Sequence, residues 1–319
     1  MTLLLKVDEV SSLIDMDRAI KVTEQSLVEQ TRGRVSVHPP YHLPVPGGAL
    51  RVVSGVLLDS ERMGIRVGPA LNLTPPSGSR HHVAMLYHTD STLLAMIAYP
   101  FTTLRTGASL GVAAKYLAPE KIETLGLIGT GRNALALLEG TLSVRDVESI
   151  RVYSRSADGR NKFVSDASAK LGRSLTAVDT CEAAVRDSDM ILLATSSLEP
   201  VFSSAWLKKG CLVASMGPIG ELPPDLFLTA DRKIVSNMEQ EKTPLRPSFL
   251  NVLINDGKIR WSDIDELGEI VAGKKPCPNG SRDITVFHES AGGAGDIVFA
   301  DWCYQEAVRR GIGQEVSFF

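Results

Sequence analysis

The chain has 319 residues, 44% of them hydrophobic and 22% charged, with a formal net charge of −3 at pH 7. That length allows two domains with a core each, and the near-neutral balance gives no electrostatic ground for a nucleic-acid or membrane partner. The four cysteines (Cys181, Cys211, Cys277 and Cys303) form no Cys-x-x-Cys pair, and no run reaches the roughly 18–20 apolar residues of a membrane helix, so a cytoplasmic protein with reduced thiols and no zinc site is expected.

In chain order, residues 15–31 read as an amphipathic helix, with Met16, Ile20, Val22 and Leu27 among its apolar positions. From Val35 to Tyr99 the pattern changes to short β-like runs between Pro and Gly, at 50–53, 64–67, 82–87 and 93–97, which predicts an antiparallel sheet. Residues 104–117 are rich in alanine and read as a helix leading into an apolar strand at 122–128. A helix at 134–142 and a second strand at 149–153 follow. The apolar runs at 190–194 and 211–215, with 233–236 and 282–287, suit parallel strands covered on both faces. A last helix at 297–310 could return to the first domain.

The junction at Gly129-Thr130-Gly131, between the first strand of this series and its helix, carries the chemistry. Gly129 permits a tight turn, Gly131 lets the backbone approach a pyrophosphate, and Ala134 lets helix and strand pack closely. A helix starting near Arg132 and Asn133 directs free N–H groups and the positive dipole end at phosphate. The second strand ends in Ser154-Arg155-Ser156 instead of an acidic residue. A guanidinium flanked by hydroxyls suits a ribose 2′-phosphate, which favours NADP(H) over NAD(H). Ligands of open parallel sheets bind beyond the carboxyl ends of the strands, which puts Thr195-Ser196, Met216-Gly217 and His288-Glu289 on the cofactor rim.

Residues 105–116, Arg105-Thr106-Gly-Ala-Ser-Leu-Gly-Val-Ala-Ala-Lys-Tyr116, resemble the helix that precedes the glycine motif in the ornithine cyclodeaminase/mu-crystallin family. Residues 267–276 followed by 284–287 are similar to that family's late signature. The resemblance implies an α/β fold, with a Rossmann-type doubly wound parallel sheet at 118–295. It also implies a discontinuous α+β domain for substrate binding and dimerisation, formed by 1–117 together with 296–319. Members include ornithine and lysine cyclodeaminases, alanine dehydrogenase, ketimine and iminosuccinate reductases and NADPH-binding mu-crystallins, typically homodimers joined through the sheet of the discontinuous domain. Arg105 matches the arginine that clamps the substrate carboxylate, a task its planar fork suits, and Thr106 beside it is expected at the cofactor. Arg66 stands where the family commonly has a lysine, and Tyr41 where many members have a second carboxylate-binding arginine.

The segment 215–222 departs from the cyclodeaminases, which carry an aspartate there that handles the amino group; Glu221 matches a structural glutamate further along. A lysine can act as a base, whereas arginine stays charged, so Arg66 reads as part of an anion clamp. The resemblance thus implies a small carboxylate-bearing substrate and an NAD(P)-dependent oxidoreductase that reduces an imino acid or oxidises the matching amino acid. Two alternatives are an ornithine-cyclodeaminase-like ammonia lyase using bound NAD and a mu-crystallin-like protein that holds NADPH and a small ligand without turnover. No His, Asp or Glu spacing supplies a metal site. One of His81 and His82 could donate a proton; His38, His42 and His88 are ambiguous, and Asp296 could either cap the last helix or line the pocket.

Overall fold

The computed structural model describes residues 1–71, 81–243, 248–289 and 294–318. The chain divides into two compact units, Met1–Arg105 with Gly292–Phe319, and Thr106–Ala291.

The first unit is built on an eight-stranded sheet. Its strands are β1 (Thr2–Leu5), β2 (Val35–Val37), β3 (Tyr41–Val45), β4 (Gly48–Leu57), β5 (Arg62–Leu71), β6 (Val83–His88) and β7 (Leu93–Ala98), with the late strand Gln314–Val316 at one edge. Their order from that edge is β1, β7, β6, β5, β4 and β2, with β3 also paired to β4. The pairing is antiparallel except between β1 and β7. The expected runs are all present, but β4 and β5 extend to ten residues each.

Alternation along the strands sorts the two faces of this sheet. Val53, Leu57, Ala84, Leu86, Ala95 and Ile97 are buried on one face, with the helix Ala294–Arg310 packed against β4, β5 and β6. Val53, Leu57, Leu86 and Ile97 each contribute about 1.5–3 kcal/mol on burial. The other face presents Val52, Val56, Ile65, Val67, Met85 and Met96, which are only half-buried. The early helix spans Met16–Thr31, and Asp15 caps it by accepting from the Arg18 N–H at 2.8 Å.

The second unit is a doubly wound α/β unit whose eight strands are all parallel. They are β8 (Lys121–Ile128), β9 (Asp146–Tyr153), β10 (Thr176–Ala177), β11 (Met190–Leu193), β12 (Leu212–Ser215), β13 (Arg232–Val235), β14 (Asp265–Glu266) and β15 (Thr285–His288). The order is β10-β9-β8-β11-β12-β15-β13-β14. The winding reverses between β8 and β11, the switch point at which such sheets bind ligands. Every residue of β11, β12 and β15 is buried, as central parallel strands require.

Two sequence expectations shift here. The strand expected at 282–287 begins only at Thr285, because residues 279–283 close a turn in which the Asp283 carboxylate accepts from the Asn279 N–H at 2.8 Å. The helix expected at 134–142 is present with those bounds, but its start near Arg132 is replaced by a turn in which the Ala134 N–H donates to the Gly131 carbonyl at 3.0 Å. Among the described residues no helix is long and apolar enough to cross a membrane, and no group of three His, Cys, Asp or Glu side chains is placed to hold a metal ion.

Candidate functional site

The carboxyl ends of β8, β9, β11 and β12 open onto a cavity of about 800 Å³. Gly129, Gly131, Arg132 and Asn133 line it from the first turn, Ser154, Arg155 and Ser156 from the end of β9, and Thr195, Met216 and Gly217 from the ends of β11 and β12. Thr106 is buried in the helix Thr102–Leu117 and is not among the lining residues, and neither are His288 and Glu289, which are 6% and 4% exposed. The expectation that this last pair stands on the rim is therefore corrected: both side chains turn into the protein.

Gly129 is required at its position on two counts. Its φ of +95° is a conformation that residues with a side chain rarely adopt, and a Cβ there would lie 2.6 Å from the Ala194 carbonyl oxygen. The turn leads into the helix Ala134–Leu142, whose N-terminus no side chain caps: Asn133 stands at the cap position without a side-chain hydrogen bond. The Ala134 N–H is taken by the Gly131 carbonyl, and those of Leu135 and Ala136 that follow it are available to an anion, the arrangement that binds a pyrophosphate. The residues present fit a dinucleotide.

Ser156 caps the next helix, Ala157–Leu171, by accepting from the Gly159 N–H at 3.1 Å, while Arg155 is exposed. Beneath them lies Arg160, which sequence reasoning missed. It is 6% exposed and donates to the Ser154 carbonyl at 3.0 Å and to Asp179 at 2.9 Å. Its position one helical turn after Ser156 is the only signal that could have found it.

Glu221 braces the other side of the cavity and is fully buried. Its Oε1 accepts from Ser215 Oγ at 2.6 Å and from the Gly217 N–H at 3.0 Å, and its Oε2 accepts from Thr195 Oγ1 at 2.5 Å. Burial raises its pKa, against the hydrogen bonds from Ser215, Thr195 and Gly217, which pull the other way. The one carboxylate in the 215–222 segment is thus engaged with the protein's own groups.

The first unit contains a separate buried charge cluster. Asp296, 1% exposed, accepts from Arg66 Nε at 2.8 Å and Tyr99 Oη at 2.8 Å, and pairs with Arg105 Nε at 3.0 Å. Burial alone would raise the Asp296 pKa, but Arg105 and Arg66 outweigh it and hold the carboxyl below its usual value. The Tyr99 phenol is pushed well up by burial and by Asp296. Asp296 sits in the first turn of Ala294–Arg310, so its role is ion pairing with two guanidiniums, where sequence left capping and pocket lining open.

The register also exposes a residue that sequence reasoning overlooked. Arg51 pairs with His42 on β3 and Gly68 on β5, and alternation puts it on the Arg66 face. Its pKa is lowered to about 10 by burial and by repulsion from Arg66 and Arg105. Burial, with Arg51, also lowers the His42 pKa. Tyr41 pairs with Val52, which pairs with Val67, so it lies on the opposite, half-buried face and is 62% exposed. The register thus corrects its expected place beside Arg66: Arg51 stands on that face instead. Period-two counting across the β4–β5 hairpin could have found it.

Among the described residues three guanidiniums share this cluster with one carboxylate, a positive excess that an anionic ligand would neutralise. Arg66 Nη1 donates to His82 Nδ1 at 2.8 Å, so the ring proton of a neutral His82 is on Nε2. His81 is exposed, and His88 is engaged with Asp90 at 3.1 Å and Glu61 at 3.5 Å.

The sequence model of the ornithine cyclodeaminase/mu-crystallin family matches residues 1–311. A Delta(1)-pyrroline-2-carboxylate reductase of Bacillus cereus is 28% identical over 329 residues, covering 99% of this chain and 100% of that protein. The structure of Thermococcus litoralis Delta(1)-pyrroline-2-carboxylate reductase in complex with NADH and L-proline superimposes with a TM-score of 0.89 at 29% identity, over 99% of this chain and all of that one. An archaeal alanine dehydrogenase dimer with bound NAD does so with the same TM-score and identity, over 100% of this chain and 99% of that one.

Proposed function

The chain belongs to the ornithine cyclodeaminase/mu-crystallin family, and on that premise we propose that it is an NAD(P)-dependent oxidoreductase that reduces the C=N bond of a small imino acid or oxidises the matching amino acid. The observation that carries the substrate half of this reading is the buried cluster that Arg51, Arg66 and Arg105 form, among the described residues, around the carboxylate of Asp296. A guanidinium fork matches a carboxylate in two parallel hydrogen bonds, and an imino acid so held has its reacting carbon next to the anchored group.

A bound nicotinamide would supply the hydride. The turn at Gly129-Thr130-Gly131 and the open N-terminus of Ala134–Leu142 would hold its pyrophosphate, while Glu221 keeps Thr195 and Gly217 in place. Asp296 orients the two arginines it pairs with and keeps them from repelling one another. Ser154, Arg155 and Ser156 support NADP(H) as the preferred dinucleotide, since no carboxylate at that strand end would repel a 2′-phosphate. The half-buried apolar face of the first unit's sheet supports a homodimer formed through it.

Engagement of Glu221 by Ser215, Thr195 and Gly217 disfavours the ammonia-lyase alternative, because the 215–222 segment holds no other carboxylate to handle an amine. The test is the loss of nicotinamide absorbance when NADPH or NADH is mixed with Δ1-pyrroline-2-carboxylate, other cyclic imino acids, and 2-oxo acids with ammonium. Saturable oxidation by at least one of them is expected. Ammonia release from ornithine without net cofactor turnover would overturn the reading in favour of the lyase. Tight NADPH binding with no oxidation across the panel would overturn it in favour of a binding protein.

A further inference from the structure

The last residue of β15 is a histidine whose two ring nitrogens face two acceptors. His288 Nδ1 lies 2.5 Å from Glu241 Oε1, and Nε2 lies 3.2 Å from the Gly217 carbonyl oxygen. Both side chains are buried, at 6% for His288 and 3% for Glu241. A carbonyl and a carboxylate can both be satisfied only when each ring nitrogen carries a proton, so this geometry stores an imidazolium–carboxylate pair inside the protein. Such a pair is costly to desolvate and is weak evidence for a purely stabilising role.

Its position says what it acts on. β15 lies between β12 and β13, with Ser215 and Val235 as the register partners of His288. The ring therefore sits beside the start of the Met216-Gly217 loop that walls the cavity. The peptides on both sides of Gly217 are then held: Glu221 accepts from the Gly217 N–H at 3.0 Å, and His288 donates to the Gly217 carbonyl. A Cβ at Gly217 would lie 2.6 Å from the Thr195 carbonyl oxygen, so the loop is pressed against the end of β11. None of His288, Glu241 and Glu221 lines the cavity, whereas Thr195, Met216 and Gly217 do.

We propose that His288 is a positioning residue for the dinucleotide, acting through the Gly217 carbonyl, with Glu241 holding the proton that this contact needs. The inference rests on the dinucleotide reading of the cavity. It concerns the wall away from Ser154 and Ser156, where the nicotinamide half of the cofactor would lie. Deprotonated at Nε2, the ring presents a lone pair to the carbonyl, and the loop loses its outer tether.

The pH dependence has a defined sign. Burial alone would lower the His288 pKa, but Glu241, the Gly217 carbonyl and Glu221 raise it above its usual 6.5. The charged groups acting on the ring are Glu241 of the helix Met238–Lys242 and Glu221 of the turn after β12. The tether is thus complete below pH 6.5 and is lost as pH rises through the raised value.

The experiment is NADPH binding, followed by nicotinamide fluorescence, to the wild type, His288→Asn and Glu241→Gln across a pH series. Taking the ratio of Kd for each variant to Kd for the wild type at every pH cancels titration of the cofactor's own phosphate. For His288→Asn the ratio is expected to be about ten at low pH, the scale of one lost charge-assisted hydrogen bond, and to fall towards one as pH rises. For Glu241→Gln the wild-type affinity is retained at the lowest pH and lost at a lower pH than in the wild type. A ratio near one throughout, or one that does not vary with pH for either variant, overturns the proposal. Should His288→Asn fail to fold by circular dichroism, the near-isosteric Glu241→Gln profile decides alone. Failure of the wild type to bind NADPH or NADH at any pH would overturn the dinucleotide reading itself.

Discussion

Replacing Asp296 by Asn tests whether the arginine cluster is an anion site held together by one carboxylate. The side chain is 1% exposed and serves Arg66 at 2.8 Å, Arg105 at 3.0 Å and the Tyr99 hydroxyl at 2.8 Å. The amide keeps the shape but removes the charge, and leaves the guanidiniums of Arg51, Arg66 and Arg105 repelling one another. Removing one partner of a buried ion pair costs about 3–5 kcal/mol, so a loss of about 3 kcal/mol is expected for this conservative change. Urea unfolding of the first unit can be followed at Trp302, its only tryptophan, in a background with Trp206 and Trp261 changed to Phe. Since the Asp296 pKa is lowered on folding, its contribution is complete above its ordinary 3.8 and disappears as pH falls through the folded value. The gap between wild type and variant should therefore narrow in acid. Sulfate should restore more stability to the variant than to the wild type, because an anion replaces the missing charge. A loss below about 0.5 kcal/mol at neutral pH, the range of an ordinary surface change, would refute the reasoning, as would a gap that does not shrink in acid.

Arg105→Lys should raise KM for the imino acid by about tenfold or more, since a point charge replaces the planar fork, while the Kd for NADPH stays unchanged; steady-state kinetics and fluorescence titration separate the two. Arg155→Ala should raise KM for NADPH about tenfold and leave KM for NADH as it was; equal effects on both cofactors would remove the 2′-phosphate role. Gly129→Ala should abolish dinucleotide binding and lower the melting temperature, because a Cβ there meets both a φ of +95° and the Ala194 carbonyl; calorimetry and NADPH titration check both effects.

What was legible in the chain was whatever depends on neighbours in sequence. The glycine turn after β8, the helix Ala134–Leu142 and the continuous apolar runs of β11 and β12 are local patterns, and the structure realises each within a few residues. The residues that were missed depend on register and topology. Arg51 joins Arg66 only because the β4–β5 hairpin sets Arg51 against Gly68, and a one-residue slip would send it to the other face. Tyr41 was placed by resemblance to the family, and the pleat of β3 turns it away from Arg66. His288 meets Gly217, 71 residues earlier, because β15 inserts between β12 and β13, an order no periodicity encodes. The same topology brings His288 of β15 onto the 215–222 segment. With no aspartate in it, the segment is tied from behind by Glu221 on the Gly217 N–H and by His288 on its carbonyl, so the wall of the cofactor cavity is fixed by groups outside the cavity.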